Sequence, residues 1–380
     1  MNGKASLSLL VALFAGSVGC AILAGLDGDR HLAAGTGGSS SASASSDASA
    51  SSSASGSGGA SCVPVHVPGP PMIQDAGGSL DFTVALRTID LGESSVTMGK
   101  VGLDRDGVCT CPGPPSCAEP SWAYASHCDG LGGRDNAAAQ AFSLVNADLG
   151  PVISSPQFSY EANKGSWSLL LRVRGYNGGA DDDQVEAAFF MTPGLTSPPK
   201  WDGTDAWPVG DGSLADKMSL DQPLVVDSKA YVSGGVLVVS LSKMSVLIQS
   251  AGVRLQLDLS DVALRATILQ PDGGGGFHLT NGVLGASWIL TDVFTNLSGL
   301  RLNGVGICTD SLSYATAKSR LCGTVDLGPS GSDAGAPCNA LSFGMSFGAD
   351  PATLGPVAAL PAPSPGCSPM KDPSNDVCGP

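Results

Sequence analysis

The chain has 380 residues, with 34 acidic against 19 basic side chains and a formal charge of −15. Phosphate binding needs clustered Lys and Arg, and here they are scattered singly apart from Arg172 and Arg174, so nucleic acid is excluded as a partner. With 52 glycines, 26 prolines and only 5% aromatic residues, the composition favours short strands and many turns over long helices.

In chain order, residues 1–19 have the three parts of an export signal. Lys4 supplies the positive start, Leu7 to Phe14 is apolar, and Ala15 to Gly19 is a small-residue exit. The apolar run is too short to cross a hydrocarbon core of roughly 30 Å comfortably as a helix. It ends on Ser17-Val18-Gly19-Cys20, which resembles the lipobox of bacterial lipoproteins in Gly19 and Val18 and departs from it at Ser17, where Leu is usual. The resemblance implies that Cys20 becomes the mature N-terminus and carries acyl chains, each buried methylene adding about 0.8 kcal/mol of anchoring. It also implies, through Ala21, sorting to the outer membrane or cell surface. The alternative is an ordinary signal cut near Ala24, with Cys20 discarded and the chain secreted.

Residues 20–61 read as a tether. From Ala33 to Ser61 the chain is almost wholly Ser, Ala and Gly, with nothing to bury against the entropy of ordering. A flexible coil of that length reaches about 30 Å, enough to hold a domain clear of a bilayer.

Beyond it lie a first half, 62–228, a second half, 229–350, and a Pro-rich tail, 351–380. Cys20 aside, the cysteines fall into two odd clusters of five: Cys62, Cys109, Cys111, Cys117 and Cys128, then Cys308, Cys322, Cys338, Cys367 and Cys378. In an exported chain disulfides are expected, and two odd clusters require at least one bridge between the halves. Spacing leaves the connectivity open; Cys308–Cys322 and Cys367–Cys378 are the most local pairings.

Leu80 to Leu86 alternates as a half-buried strand, and a helix through Leu149 follows, capped by Asp135 or Asn136. Trp167 to Met191 reads as two strands around a long polar loop, Gly175 to Asp183. Val236 to Leu241, Val253 to Leu259 and Val262 to Ile268 are strands, the last two out of phase by one residue at Ser260-Asp261, which predicts a bulge or tight turn. Gly273 to Gly276 is a break. Val283 to Leu297 carries a helical stripe, Asp310 or Ser311 caps a second helix to Cys322, and Leu341 to Phe347 is a last strand. The pattern predicts a mainly β fold: an antiparallel β-sandwich with a few packed helices, stapled by disulfides.

Gly344-Met345-Ser346-Phe347-Gly348 matches the nucleophile elbow, but no helix follows it and no His follows His278, so it reads as plain strand. Cys109, Cys111, Cys117, His127 and Cys128 lack zinc-knuckle spacing, and disulfides take precedence over a metal there. Three acidic loops remain: Asp104-Arg105-Asp106-Gly107, Asn177 to Asp183, and Asp202 to Asp211. Such loops supply the carboxylate and carbonyl oxygens that calcium takes, with Asp181, Asp182 and Asp183 as candidate ligands. Adjacent carboxylates repel unless a cation, or Arg172 and Arg174, compensates them. Trp201 and Trp207 beside Asn177, Asp202 and Asp205 offer rings and acceptors for a sugar. Against both readings, Asp, Asn and Gly also simply make turns, with Trp201 and Trp207 capping the core.

The stretch Arg172 to Phe189, with its Tyr-Asn-Gly and Asp-Asp-Gln-Val, resembles cysteine-rich domains of bacterial surface lipoproteins, a likeness that implies class without activity. The chain is therefore expected to be a non-catalytic cell-envelope lipoprotein held to the membrane by its acyl anchor and presenting a β domain for calcium-dependent glycan binding. The alternatives are a structural or accessory lipoprotein that binds an envelope protein, and an exported hydrolase using paired carboxylates.

Overall fold

Alternating runs of Val, Leu and Ala make strands because each buries one side chain in two, and here they do so around a closed surface. The structure, a computed structural model, describes residues 62–72, 77–111, 113–125, 128–250, 252–270, 276–302, 304–328, 334–360 and 367–379. The export signal, Cys20 and the tether lie outside the described residues, as do His127 and most of the Gly273 to Gly276 break.

The strands are β1 Leu80–Asp90, β2 Leu169–Tyr176, β3 Asp182–Met191, β4 Ala206–Gly210, β5 Val225–Ser233, β6 Val236–Ser250, β7 Val253–Leu269, β8 His278–Ile289, β9 Arg301–Leu302, β10 Val305–Gly306 and β11 Ala340–Ala358. The helices are α1 Ala137–Leu149, α2 Ser155–Asn163, α3 Leu290–Gly299 and α4 Leu312–Gly323. Eight strands pair antiparallel in the cyclic order β1-β2-β3-β5-β6-β7-β8-β11 and back to β1. The sheet thus closes on itself, and the facing layers of the mainly β, antiparallel, disulfide-stapled fold are opposite walls of one barrel. β4 adds to β11 in parallel, and β9 pairs with both β7 and β10.

Inward positions form one core: Val84 and Leu86 of β1, Leu171 and Val173 of β2, Phe189, Val239, Leu264, Ala286, and Phe343 and Met345 of β11. The alternate positions Ala85, Leu170, Ala188 and Phe190 face outward, where Trp207, Val209 and Leu214 cover them. The segment between β3 and β5 is therefore a second layer on the barrel's outer wall. Helix α2 contacts both β1 and β6, strands on opposite sides of the ring, and so closes one mouth. Helix α1 packs on β11 and α4, with the Phe142 ring 6.1 Å from Trp288. Among the described residues no helix is long and apolar enough to cross a membrane.

The bulge expected at Ser260-Asp261 is present. β7 runs through it as one strand, Asp261 takes φ +49°, and the register against β8 shifts between Ser260 and Ala263. Ser311 caps α4 and Asn136 caps α1. The helical stripe from Val283 does not form a helix until Leu290. Val283 to Ile289 is the end of β8, where pairing with both β7 and β11 closes the barrel and outweighs a local 3.6-residue period. The last strand, β11, runs on through Pro351 to Ala358. Its pairing with β8 ends at Ala349, and a missing N–H beyond that point is tolerated. Ser346 sits inside this strand, paired with Asp90, and forms no elbow.

All ten described cysteines are bridged: Cys62–Cys109, Cys111–Cys128, Cys117–Cys338, Cys308–Cys367 and Cys322–Cys378. Cys117–Cys338 is the required bridge between the clusters. The local pairings Cys308–Cys322 and Cys367–Cys378 are not used. Cys308 precedes α4 and Cys322 ends it, and each takes a partner from the C-terminal segment, which is thereby tied along the helix at two points.

Candidate metal centre

The cysteine-rich loop between β1 and α1 carries a run of acids that the fold folds inward. Asp104 and Asp106 lie on one limb and Asp135 on the other. The limbs meet through the Leu103–Asp135 bridge, while Cys62–Cys109 and Cys111–Cys128 brace the loop. Asp104, Asp106 and Asp135 are all buried, and one carboxylate oxygen of each lies within 4.8 Å of the others. Oxygens bound to one calcium at about 2.3–2.6 Å lie no more than about 5 Å apart, so this spacing fits a shared cation.

Backbone amides fix the carboxylates. Gly107 N donates to Asp104 Oδ1 at 2.7 Å, Val108 N to Asp106 Oδ1 at 2.9 Å, and Arg105 N to Asp135 Oδ2 at 2.5 Å. Asp104 Oδ2 is different. Its side chain is 0% exposed, the oxygen has no hydrogen-bond partner, and His66 Nε2 lies 3.8 Å from it. Gly133, at φ +65°, lies against it: a Cβ there would sit 3.4 Å from that oxygen and 3.1 Å from Cys109 Sγ. Glycine keeps this space open and adopts the left-handed conformation without strain.

Two more acids share the region. Thr110 N donates to Asp129 Oδ2 at 2.6 Å, and Ser342 of β11 donates to Asp326 from its N at 2.7 Å and its Oγ at 2.5 Å. Asp129, Asp135 and Asp326 line one cavity of about 310 Å³, with Met98, Asn136 and Gln140 in its wall. The nearby Arg105 turns its guanidinium to the carbonyl of Asp261, and burial lowers its pKa. The cluster thus holds more negative charge than its surroundings balance. Burial, then the charge of Asp326, pushes Asp135 up to about 10. Burial likewise raises Asp326 to about 7, Asp129 to about 6, and Asp104 above its usual range. Close buried carboxylates cannot all ionise without compensation, which must come from protons or from a cation.

The residues singled out from sequence sit elsewhere. Asp182 is buried at the start of β3, where it accepts from Asn177 N and Gln184 N, and Asp181 accepts from Gly234 N. Consecutive residues entering a strand point to opposite faces, so Asp181, Asp182 and Asp183 do not converge on one ion. Arg172 and Arg174 do not compensate them either; they pair with Glu186 and Asp221. Asn177 Oδ1 accepts from Gly179 N and closes the same turn. Asp202 accepts from Thr204, and Asp205 from Lys200 N and Trp201 N, so both are turn-formers. Trp207 is 0% exposed and offers no face to a sugar. Trp201 is half-buried, with the Arg87 guanidinium 5.2 Å over its ring. Asn177 closes the β2–β3 turn while the tryptophans pack by β4 and β11, so the two sets form no common site. Of the three acidic loops, the one that gathers carboxylates is Asp104 to Gly107. Its partners Asp129, Asp135 and Asp326 carried no site signal of their own, and Asp135 reads as a helix cap.

No protein-family model, curated protein or solved structure matches the chain.

Proposed function

We propose that this chain is a non-catalytic binding protein of the bacterial cell envelope. In this reading it is anchored through an acylated Cys20, and its disulfide-stapled barrel takes up calcium at Asp104, Asp106 and Asp135. One observation carries the cation site: a buried Asp104 oxygen without a hydrogen-bond partner, facing two further buried carboxylates at calcium spacing. All-oxygen donors on braced loops suit calcium better than zinc, which prefers nitrogen and sulfur, or magnesium, which keeps its waters. The bound ion would neutralise the cluster, lock the cysteine-rich loop to β11 and stiffen the surface that meets a partner. The lipobox-like segment and the Ser/Ala tether support the location; the bridging of all ten described cysteines supports an oxidising compartment.

The test is a melting curve of the purified full chain with calcium and then with chelator. Calcium at a hundred times its Kd should stabilise the fold by about 2.7 kcal/mol. Asp104→Asn and Asp106→Asn should lose that gain, while Asp183→Asn keeps it. An unchanged calcium response in Asp104→Asn, or no response in the wild type, removes the site.

A further inference from the structure

We infer that the exposed flank of α4 is a binding groove for a neutral oligosaccharide chain, with Tyr124 as its stacking platform. Tyr124 is 53% exposed although its backbone, its hydroxyl and one ring edge are held. Its N–H, and that of Ala125, bond the carbonyl of Gly323 at the end of α4. Its hydroxyl donates to the Ser319 carbonyl at 3.1 Å and accepts from Arg320 Nη1 at 3.0 Å. The ring lies so close to Gly323 that a Cβ there would come within 2.4 Å of Cε1. One edge is thus packed on helix backbone and the Arg320 guanidinium lies 5.9 Å from the ring centroid, while about half of the residue stays open to solvent in a fixed pose. An aromatic ring kept exposed in this way loses little entropy when something stacks on it.

Two hollows adjoin at this ring and share Tyr124, Ala315 and Ser319. One, of about 500 Å³, has Trp122, Thr309, Lys318 and Asp376 in its wall; the other, of about 470 Å³, has Asp148, Thr316 and Arg320. Each charge in these walls is paired. Lys318 Nζ lies 2.9 and 3.0 Å from the Asp376 oxygens, and Arg320 Nε lies 2.7 Å from Asp148. The groove is therefore polar but carries no net charge, which suits a neutral polyhydroxylated chain and not an anion. Hydroxyls of Thr309, Thr316 and Ser319 and the ion pairs offer donors and acceptors on both sides of the ring. That matches a sugar, whose apolar face stacks while its rim hydrogen-bonds. The walls are rigid, because Cys308–Cys367 and Cys322–Cys378 clamp the C-terminal segment to both ends of α4.

The groove lies apart from the carboxylate centre, so its failure and that of the calcium site are separable. The test is calorimetric titration of the full chain with cellohexaose, laminarihexaose, xylohexaose and chitohexaose. At least one should bind, Tyr124→Ala should weaken it roughly tenfold or more, the loss of one good stacking contact, and Tyr124→Phe, which keeps the ring, should bind within a few-fold of wild type. The calcium-linked rise in melting temperature should persist in each variant. If Tyr124→Ala does not fold, Ser319→Trp, on the exposed helix face, should block the junction and abolish the same binding. No binding to any of the four sugars, binding only to a sulfated polysaccharide, or undiminished binding in folded Tyr124→Ala would each overturn the assignment.

Discussion

Asn136 and Gly344 hold each other through both of their polar ends. The Asn136 side chain accepts from Gly344 N at 2.9 Å and donates to Gly344 O at 3.2 Å, while the same amide donates to Leu91 O at 3.0 Å and caps Ala139 N of α1. A residue from the loop after β1 therefore joins the start of α1 to β11, 208 positions away, and sets Asp135 beside the barrel wall.

Removing that amide should cost stability at several points at once. Asn136→Ala loses a helix cap, about 1 kcal/mol, and leaves buried backbone groups of Gly344 and Leu91 unpaired. A total of about 3 kcal/mol is expected from urea unfolding, with a weaker calcium response because Asp135 is no longer placed. A loss below about 1 kcal/mol would mean that water replaces the amide at little cost.

The metal-free protein should be less stable at neutral than at mildly acidic pH. Burial raises Asp326 to about 7 in the folded state, above an ordinary value of 3.8. Its protonated form is thus favoured by folding. That contribution is complete below about pH 4 and is lost as pH rises through about 7. In chelator the melting temperature should fall from pH 5 to pH 8, and Asp326→Asn should flatten part of that fall. A melting temperature that rises over this interval would show that Asp326 is ionised in the fold.

The bridge Cys117–Cys338 spans 221 residues. Replacing both cysteines by Ser should cost roughly 3–5 kcal/mol, since the other bridges already restrain part of the unfolded chain. Guanidinium unfolding of the double variant measures this. A loss well under 2 kcal/mol would mean that the backbone bonds of Ala118 to Ala336 and Cys338 already hold the loop beside β11.

The two tryptophans should respond differently. Trp207 is wholly buried and its Nε1 has no hydrogen-bond partner, so Trp207→Ala should cost about 3–5 kcal/mol, while Trp207→Phe, which removes the unpaired N–H, should cost far less. Trp201→Ala removes a ring under Arg87 and should cost about 1 kcal/mol. Equal losses for the two alanine variants would contradict the layering of the barrel's outer wall.

Acylation at Cys20 is testable by labelling cells with a palmitate analogue. The wild-type chain should take up label and fractionate with membranes, and Cys20→Ser should do neither. An unlabelled wild-type chain released to the medium would favour cleavage near Ala24.

Much of this molecule is legible without coordinates, for reasons that are local. Alternation of period two marked β1, β2 and β7, and short apolar runs marked β3, β6 and the start of β11. A slip of one residue marked the bulge at Asp261, and cap chemistry marked Asn136 and Ser311, because each depends on neighbours within a few residues. The parity of the two cysteine clusters required a bridge between the halves. Closure of the barrel was not local. It depends on β8 finding both β7 and β11, and that pairing made a strand of Val283 to Ile289 against its helical period. Nor was the partner of any cysteine. The carboxylate centre shows the limit most clearly. Asp104 and Asp106 are visible as an acidic loop, but what makes them a site is the arrival of Asp135 and Asp326, brought by a β-bridge, a disulfide and a pair of hydrogen bonds to β11. Sequence sets which side chains carry charge; only tertiary packing decides which of those charges must share a space that water does not reach.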